Sequence, residues 1–273
     1  MYRIGWFSTG RDKAARDLLQ TVLDNIDRGE LRVEVTFVFS NREPGESVES
    51  DLFFGLVNRH RLPLIHVSSH KFKATSGEYL SSQWRLEYDR KVMEKLKGME
   101  PDICVLAGYM LIVGEEMCHR YTMINLHPAA PGGPQGTWQE VIWKLIETKA
   151  DKTGVMMHLV TPELDQGPPV TFCAFLIRGE LFDRYWKEVE GLSVDELMKR
   201  QGEDNPLFRL IRSEGLKREF PLIVATLKAF SEGKVRVEEG KVISAAGEPV
   251  AGYDLSIEIN GAVQGAPNEM HML

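Results

Sequence analysis

The chain has 273 residues, a formal net charge of −7 and 43% hydrophobic residues. That length accommodates one large α/β domain, or a domain with a small appendage, and the hydrophobic content argues against extensive disorder. There is no long Lys/Arg block to give a nucleic-acid footprint, and no apolar run reaches the length of a bilayer span.

The N-terminal residues Met1-Tyr2-Arg3-Ile4-Gly5-Trp6-Phe7-Ser8 lack the extended apolar core and cleavage site of a signal peptide, so a cytoplasmic location is expected. Cys104, Cys118 and Cys173 show no C-x-x-C spacing. Cys104 and Cys173 sit in apolar strand-like runs, which predicts buried free thiols. The seven histidines include no H-E-x-x-H and no other metal-ligand spacing, so no metal is expected. His66 and His70 read as surface or packing residues.

In chain order, Tyr2 to Ser8 predicts a core strand, followed by the turn Ser8-Thr9-Gly10-Arg11-Asp12-Lys13. A helix from Ala14 to about Asp27 follows, with Leu18, Leu19, Val22, Leu23 and Ile26 on one face. Backbone N–H groups at such a strand-to-helix turn suit a phosphate, with Arg11 or Lys13 adding charge; a plain tight turn with solvated side chains is the equal alternative. The turn has neither G-x-G-x-x-G nor G-x-x-x-x-G-K. Leu31 to Phe39 predicts a strand ending at Ser40-Asn41-Arg42, Leu52 to Arg59 a helix and Leu64 to Val67 a short strand. Tyr79 to Lys97 predicts a charged helix buried along Leu86, Val92, Met93 and Leu96. Ile103 to Ala107 is a strong strand, followed by the apolar run Gly108-Tyr109-Met110-Leu111-Ile112-Val113.

Tyr121 to Leu126 predicts a short buried strand that Pro128 ends, because proline cannot donate to a ladder. Asn125 and His127 are two residues apart, so an extended backbone sends both side chains to the same face. They lie at a strand's carboxyl end, where open α/β sheets place ligands. Val155 to Val160 predicts another strand, and Leu164-Asp165-Gln166-Gly167 follows it. A carboxylate brought near His127 would orient the imidazole and favour its charged form; a simple turn is the plainer reading.

Asn125-Leu126-His127-Pro128, together with Gly154-Val155-Met156-Met157-His158-Leu159-Val160-Thr161-Pro162-Glu163-Leu164-Asp165-Gln166-Gly167-Pro168, resembles the folate-dependent formyltransferase family. The likeness is colinear over most of residues 2–177 and resumes from Phe220-Pro221-Leu222-Ile223 to about Leu255. It implies an α/β fold, a doubly wound, mostly parallel Rossmann-like sheet, as a catalytic domain over residues 1–233. A helical insert falls at about 178–215, roughly twenty residues beyond the family outline, and a small hairpin and tail occupy 234–273. The implied reaction is formyl transfer from 10-formyltetrahydrofolate, a co-substrate, to the amine of glycinamide ribonucleotide in purine synthesis. The alternatives are the same chemistry on another small amine such as an amino sugar nucleotide, and a folate-binding protein without catalysis.

By the same resemblance the catalytic residues are Asn125, His127 and Asp165. Tyr109, Met110, Leu111, Ile112, Val113, His158 and Val160 would line the folate site, and Ser8, Thr9, Gly10, Arg11 and Arg85 the acceptor site. The expected partner is a small phosphorylated amine, with no nucleic acid and no membrane, and the protein is expected to be a monomer or homodimer. The chain departs from the family at Pro128-Ala129-Ala130-Pro131-Gly132-Gly133-Pro134-Gln135-Gly136, where relatives have Ser-Leu-Leu-Pro. It departs again at Lys217-Arg218-Glu219, where relatives have a Gln-Glu-His. Thr137, with Glu140 three residues on, predicts a capping box for a helix from Trp138 to Glu147. Phe182, Tyr185, Trp186, Val189 and Leu192 predict an amphipathic helix in the insert, Leu222 to Phe230 a closing helix, and Ala262 to Leu273 a loose tail.

Overall fold

The computed structural model describes residues 1–75 and 78–265. In chain order the elements are β1 (Tyr2–Phe7), α1 (Lys13–Asp27), β2 (Val33–Ser40), α2 (Val48–Arg59), β3 (Leu64–His66), α3 (Ser82–Lys95) and β4 (Ile103–Leu106). Next come α4 (Glu115–Arg120), β5 (Met123–His127), α5 (Trp138–Glu147), β6 (Lys152–Leu159), β7 (Pro169–Leu176), α6 (Asp183–Glu188) and α7 (Val194–Arg200). The chain closes with α8 (Pro206–Ser231), β8 (Val235–Glu238), β9 (Lys241–Ser244), β10 (Tyr253–Asp254) and α9 (Ser256–Gly265). The main sheet runs β10-β7-β6-β5-β4-β1-β2-β3. Strand β1 pairs in parallel with both β2 and β4, so the strand order reverses beside it. In open α/β sheets that switch point is where ligands bind.

The chain forms two compact units. Among the described residues, the first holds those of 1–126, 157–170 and 223–251; the second holds those of 127–156, 171–222 and 252–265. In the first, β3, β2, β1, β4 and β5 pair side by side in parallel. Phe7, Phe37, Phe39, Trp84, Tyr88, Val92, Leu96 and Leu106 form the core on one side of the sheet. Helix α1 buries Ala15, Leu18, Leu19, Val22 and Leu23, the face its spacing predicts. Gly5 is required by packing: a Cβ there would meet the Phe37 ring at 2.4 Å. Strands β8 and β9 form an antiparallel two-stranded sheet, the small C-terminal hairpin.

Helix α3 carries an acid in this core. Asp89 is 3% exposed, and its Oδ2 accepts from Gly114 N at 2.6 Å, at the N-cap of α4. Burial raises its carboxyl to about 7, against the opposing effects of the Gly114 hydrogen bond and Arg85. The native state therefore holds a proton that the unfolded chain releases near pH 4. Stability is greatest below that pH and is lost as pH rises through 7, at up to about 1.4 kcal/mol per unit. Asp89→Asn keeps an acceptor for Gly114 and removes the titration. Urea unfolding at pH 5 and pH 8 is expected to show the variant gaining about 2–3 kcal/mol on the wild type between the two.

The second unit is built on α5 and the insert. Val141, Ile142, Trp143, Leu145 and Ile146 of α5 pack with Phe175, Ile177, Phe182, Trp186, Val189, Leu197, Leu207, Phe208 and Ile211. The Thr137–Glu140 capping box starts α5 as predicted. The insert is not one helix. Chain reversal at Gly191 (φ 78°) separates α6 from α7, and a second capping box, Ser193 with Glu196, restarts the helix.

The closing helix also starts earlier than its sequence implies, at Pro206 instead of Leu222. Asn205 Oδ1 accepts from Phe208 N at 3.1 Å, and Pro206, with no N–H to satisfy, suits the first turn. Pro221 lies inside the helix, where a proline reads from sequence as a helix start. Strand β10 pairs in parallel with β7, Tyr253 opposite Thr171. Helix α9 then occupies the beginning of the expected tail, and residues 266–273 of that tail lie outside the described residues.

Candidate active site

Three of the residues singled out in the sequence meet in the first unit. Asn125 lies near the end of β5, paired in register with Leu106 of β4. His158 is the penultimate residue of β6, and Asp165 lies in the loop after that strand. Asn125 Nδ2 is 3.2 Å from His158 Nε2 and donates to Asp165 Oδ1 at 3.4 Å. His158 Nε2 and Asp165 Oδ1 are 3.5 Å apart, with side chains 3% and 5% exposed. His158 Nδ1 is 2.8 Å from Leu159 O. A carbonyl only accepts, so Nδ1 carries hydrogen, and in the neutral ring Nε2 accepts from Asn125. Were His158 to gain a proton, Nε2–H would face the Asp165 carboxylate.

Backbone geometry holds the loop. Asp165 has φ 55°, a left-handed conformation that Asp and Asn tolerate better than most residues. Two residues on, a Cβ on Gly167 would stand 1.7 Å from Leu159 O, so only glycine allows this close approach. Leu159 N donates to Pro168 O at 2.9 Å, tying the loop back to β6. His127 is the last residue of β5, 2% exposed. Its Nε2 is 2.8 Å from Pro134 O in the second unit, which again makes that nitrogen the donor.

The proposed folate wall divides by burial. Tyr109 and Val113 belong to the core of the first unit, Tyr109 edge-on to Phe7 at 5.8 Å between ring centroids. Leu111 packs partly against that core, Ile112 is half-buried, and Met110 is 40% exposed. Val160 packs partly against the same core, and its N–H donates to Met123 O at 2.9 Å.

The turn after β1 is occupied by the chain's own groups. Ser8 Oγ accepts from Gly10 N at 3.1 Å, and Thr9 N donates to Gly108 O at 3.0 Å. At the start of α1, Asp12 Oδ1 accepts from Ala15 N at 2.9 Å. The helix N-terminus thus already holds a carboxylate, which opposes a second anion. Arg11 pairs with Asp12 at 3.5 Å and Lys13 with Asp17 at 2.6 Å. Gly10 is itself constrained, at φ 65° with Phe53 Cβ 2.8 Å from the position of a Cβ. Arg85, on α3, is half-buried. Glu219 is buried and accepts from Arg212 at 2.7 Å.

His158, assigned from sequence to the folate wall, stands against Asn125 and Asp165, a pairing the sequence reading did not state. Its spacing of seven residues from Asp165 marked no pairing, because a strand end and the following loop set that distance. Among the described residues no group of three or more His, Cys, Asp or Glu side chains forms a metal-ligand set. Nor is any helix among them long and apolar enough to cross a membrane.

An amide donor, an imidazole and a buried carboxylate at the strand ends of a doubly wound sheet suit an enzyme that moves a small acyl group, supplying oxyanion donors and a proton relay. The chain belongs to the formyl transferase family, whose model matches residues 13–180. It is 31% identical over 163 residues to phosphoribosylglycinamide formyltransferase of Schizosaccharomyces pombe, covering 56% of this chain and 73% of that protein. It is also 30% identical over 146 residues to formyltetrahydrofolate deformylase of Haemophilus influenzae, covering 51% of this chain and 44% of that one. The structure of phosphoribosylglycinamide formyltransferase from Coxiella burnetii superposes with a TM-score of 0.66 at 19% identity, over 93% of this chain and 98% of that one. The protein is thus a Rossmann-like α/β enzyme of one-carbon transfer, of the formyltransferase kind.

Proposed function

We propose that this protein transfers the formyl group of 10-formyltetrahydrofolate to a primary amine. The observation that carries the proposal is the Asn125–His158–Asp165 cluster at the strand ends of a formyl transferase family member. The reaction needs a neutral amine to attack the formyl carbon, donors for the tetrahedral oxyanion, and a proton route from the attacking nitrogen to the leaving N10. Asn125, exchanging its 3.4 Å contact with Asp165, is assigned as an oxyanion donor. His127 is assigned as a second in its charged form, since its Nε2–H is given to Pro134 O and Nδ1 carries hydrogen only then. Asp165 is assigned to receive and return the proton, directly or through one water. His158 Nε2 holds the Asn125 amide in place, and that amide in turn donates to the Asp165 carboxylate. Met110, with Leu111 and Ile112, supplies apolar surface for the flat ring of the folate.

Phosphoribosylglycinamide, the acceptor in the names of several relatives, is the acceptor we propose first. A second reading, a different small amine, is favoured by the Asp12 carboxylate at the start of α1. The deformylase likeness adds water as the competing acceptor. Purified protein incubated with 10-formyltetrahydrofolate, with and without phosphoribosylglycinamide and a panel of amines, separates the three by product mass. The expected result is formylated phosphoribosylglycinamide, with release of formate slow in its absence. Rapid formate release unaffected by any amine would assign hydrolysis instead.

A further inference from the structure

At the carboxyl ends of β1, β2 and β3 in the first unit, buried polar side chains form a connected chain. Thr9 Oγ1 donates to Asn41 Oδ1 at 2.7 Å and accepts from Met110 N at 2.9 Å. Asn41 Nδ2 donates to Ser69 Oγ at 3.2 Å. Arg42 ends this chain: its Nη1 donates to Ser69 Oγ at 2.9 Å and to Asn41 O at 3.1 Å. Thr9, Asn41 and Ser69 are each at most 2% exposed, so the anchor for Arg42 is rigid. Arg42 itself is half-buried.

The guanidinium is held by one nitrogen, and its Nε and Nη2 donate to no other group among the described residues. No carboxylate lies within 4.0 Å of it among them. Four other cations of these segments are paired: Arg11 with Asp12, Lys13 with Asp17, Arg16 with Glu49, and Lys71 with Glu43 and Glu46. A guanidinium carries five donors in a fixed fork, matched to carboxylate or phosphate oxygens. Fixing it through Nη1 and leaving the other edge open orders an anion-binding group before its ligand arrives. It stands beside the β1 switch point, where a substrate is expected.

We propose that Arg42 receives an oxyanion of a substrate, a phosphate or a carboxylate, in place of the α1 turn that Asp12 seals. The role rests on the formyl-transfer reading only for the identity of the substrate. Two sources share this chemistry: the phosphate of the acceptor and the glutamate carboxylates of the folate. Arg42→Gln and Arg42→Lys are compared with the wild type in steady-state transfer, using an acceptor with and without its phosphate. Calorimetry measures binding of 10-formyltetrahydrofolate and of its counterpart lacking glutamate.

If the acceptor phosphate is the ligand, Arg42→Gln raises KM for the phosphorylated acceptor about 10- to 100-fold. Its kcat and its KM for the unphosphorylated acceptor stay within about threefold, and Arg42→Lys recovers part of the loss. If the folate carboxylate is the ligand, the same loss appears in folate affinity and vanishes for the counterpart without glutamate. Equal behaviour of anionic and neutral ligands in a folded Arg42→Gln protein overturns the proposal. Should the wild type transfer no formyl group, calorimetry with the folate pair and with inorganic phosphate still decides Arg42, so the two failures are distinguishable.

Discussion

Replacing Asp165 with Asn is expected to lower kcat for formyl transfer by about 10²–10³-fold while leaving folate affinity within about threefold. The substitution isolates charge. Asp165 occupies φ 55°, and Asn tolerates that conformation as well as Asp does, so the loop keeps its path. An amide has the volume of the carboxylate but cannot take a proton from the attacking amine. It also removes the anion beside His158 Nε2 and Asn125 Nδ2, 3.5 and 3.4 Å away. A loss confined to kcat, with unchanged urea unfolding, assigns Asp165 to proton transfer. Near-normal kcat reduces Asp165 to a turn residue and leaves the proton route elsewhere.

Gly167→Ala is expected to be nearly as damaging to activity, and damaging to stability as well. The added carbon would lie 1.7 Å from Leu159 O and 2.7 Å from Leu159 C. These are backbone atoms of a buried strand, so no side-chain rotation relieves the clash and the loop must move. Overpacking of this kind costs about 1–3 kcal/mol, and a displacement of 1 Å at a catalytic group costs about 100-fold in rate. Asp165 is two residues from the clash and moves with the loop. Urea unfolding and kcat measured on the same sample check both expectations. Wild-type activity with lowered stability would show that the loop's position does not matter to the chemistry.

Much of the first unit was legible in the chain. The leucines and valines of α1 repeat at helical spacing, and β1, β2 and β4 are short apolar runs bounded by turns, so periodicity alone places them. The Thr137–Glu140 box is legible for the same reason: a cap is a local hydrogen-bond arrangement written over four residues. Asn125 and Asp165 are singled out by their strand-end positions. Elements that depend on distant partners were not legible in this way. Strand β10 is two residues long and exists through its pairing with β7, 82 residues away between Tyr253 and Thr171. Helix α8 runs through Pro221 because its flanks are buried, with Phe208, Leu222 and Ile223 each at most 1% exposed, and packing outweighs the local helix-breaking preference.

The sequence by itself determined the family and the parallel α/β plan, and it singled out the candidate residues for the chemistry, because these are set by local spacing and residue identity. Only the tertiary structure decided which charges are already spent. Asp12, read as part of an anion-binding turn, occupies the start of α1; His158, read as a pocket wall, stands against Asp165; and Arg42, read as a strand end, retains an open edge. Whether a charged side chain is neutralised depends on partners far away in sequence, 33 residues for Arg16 and Glu49 and 99 for Arg3 and Asp102. Folding sets those distances, and no local pattern encodes them.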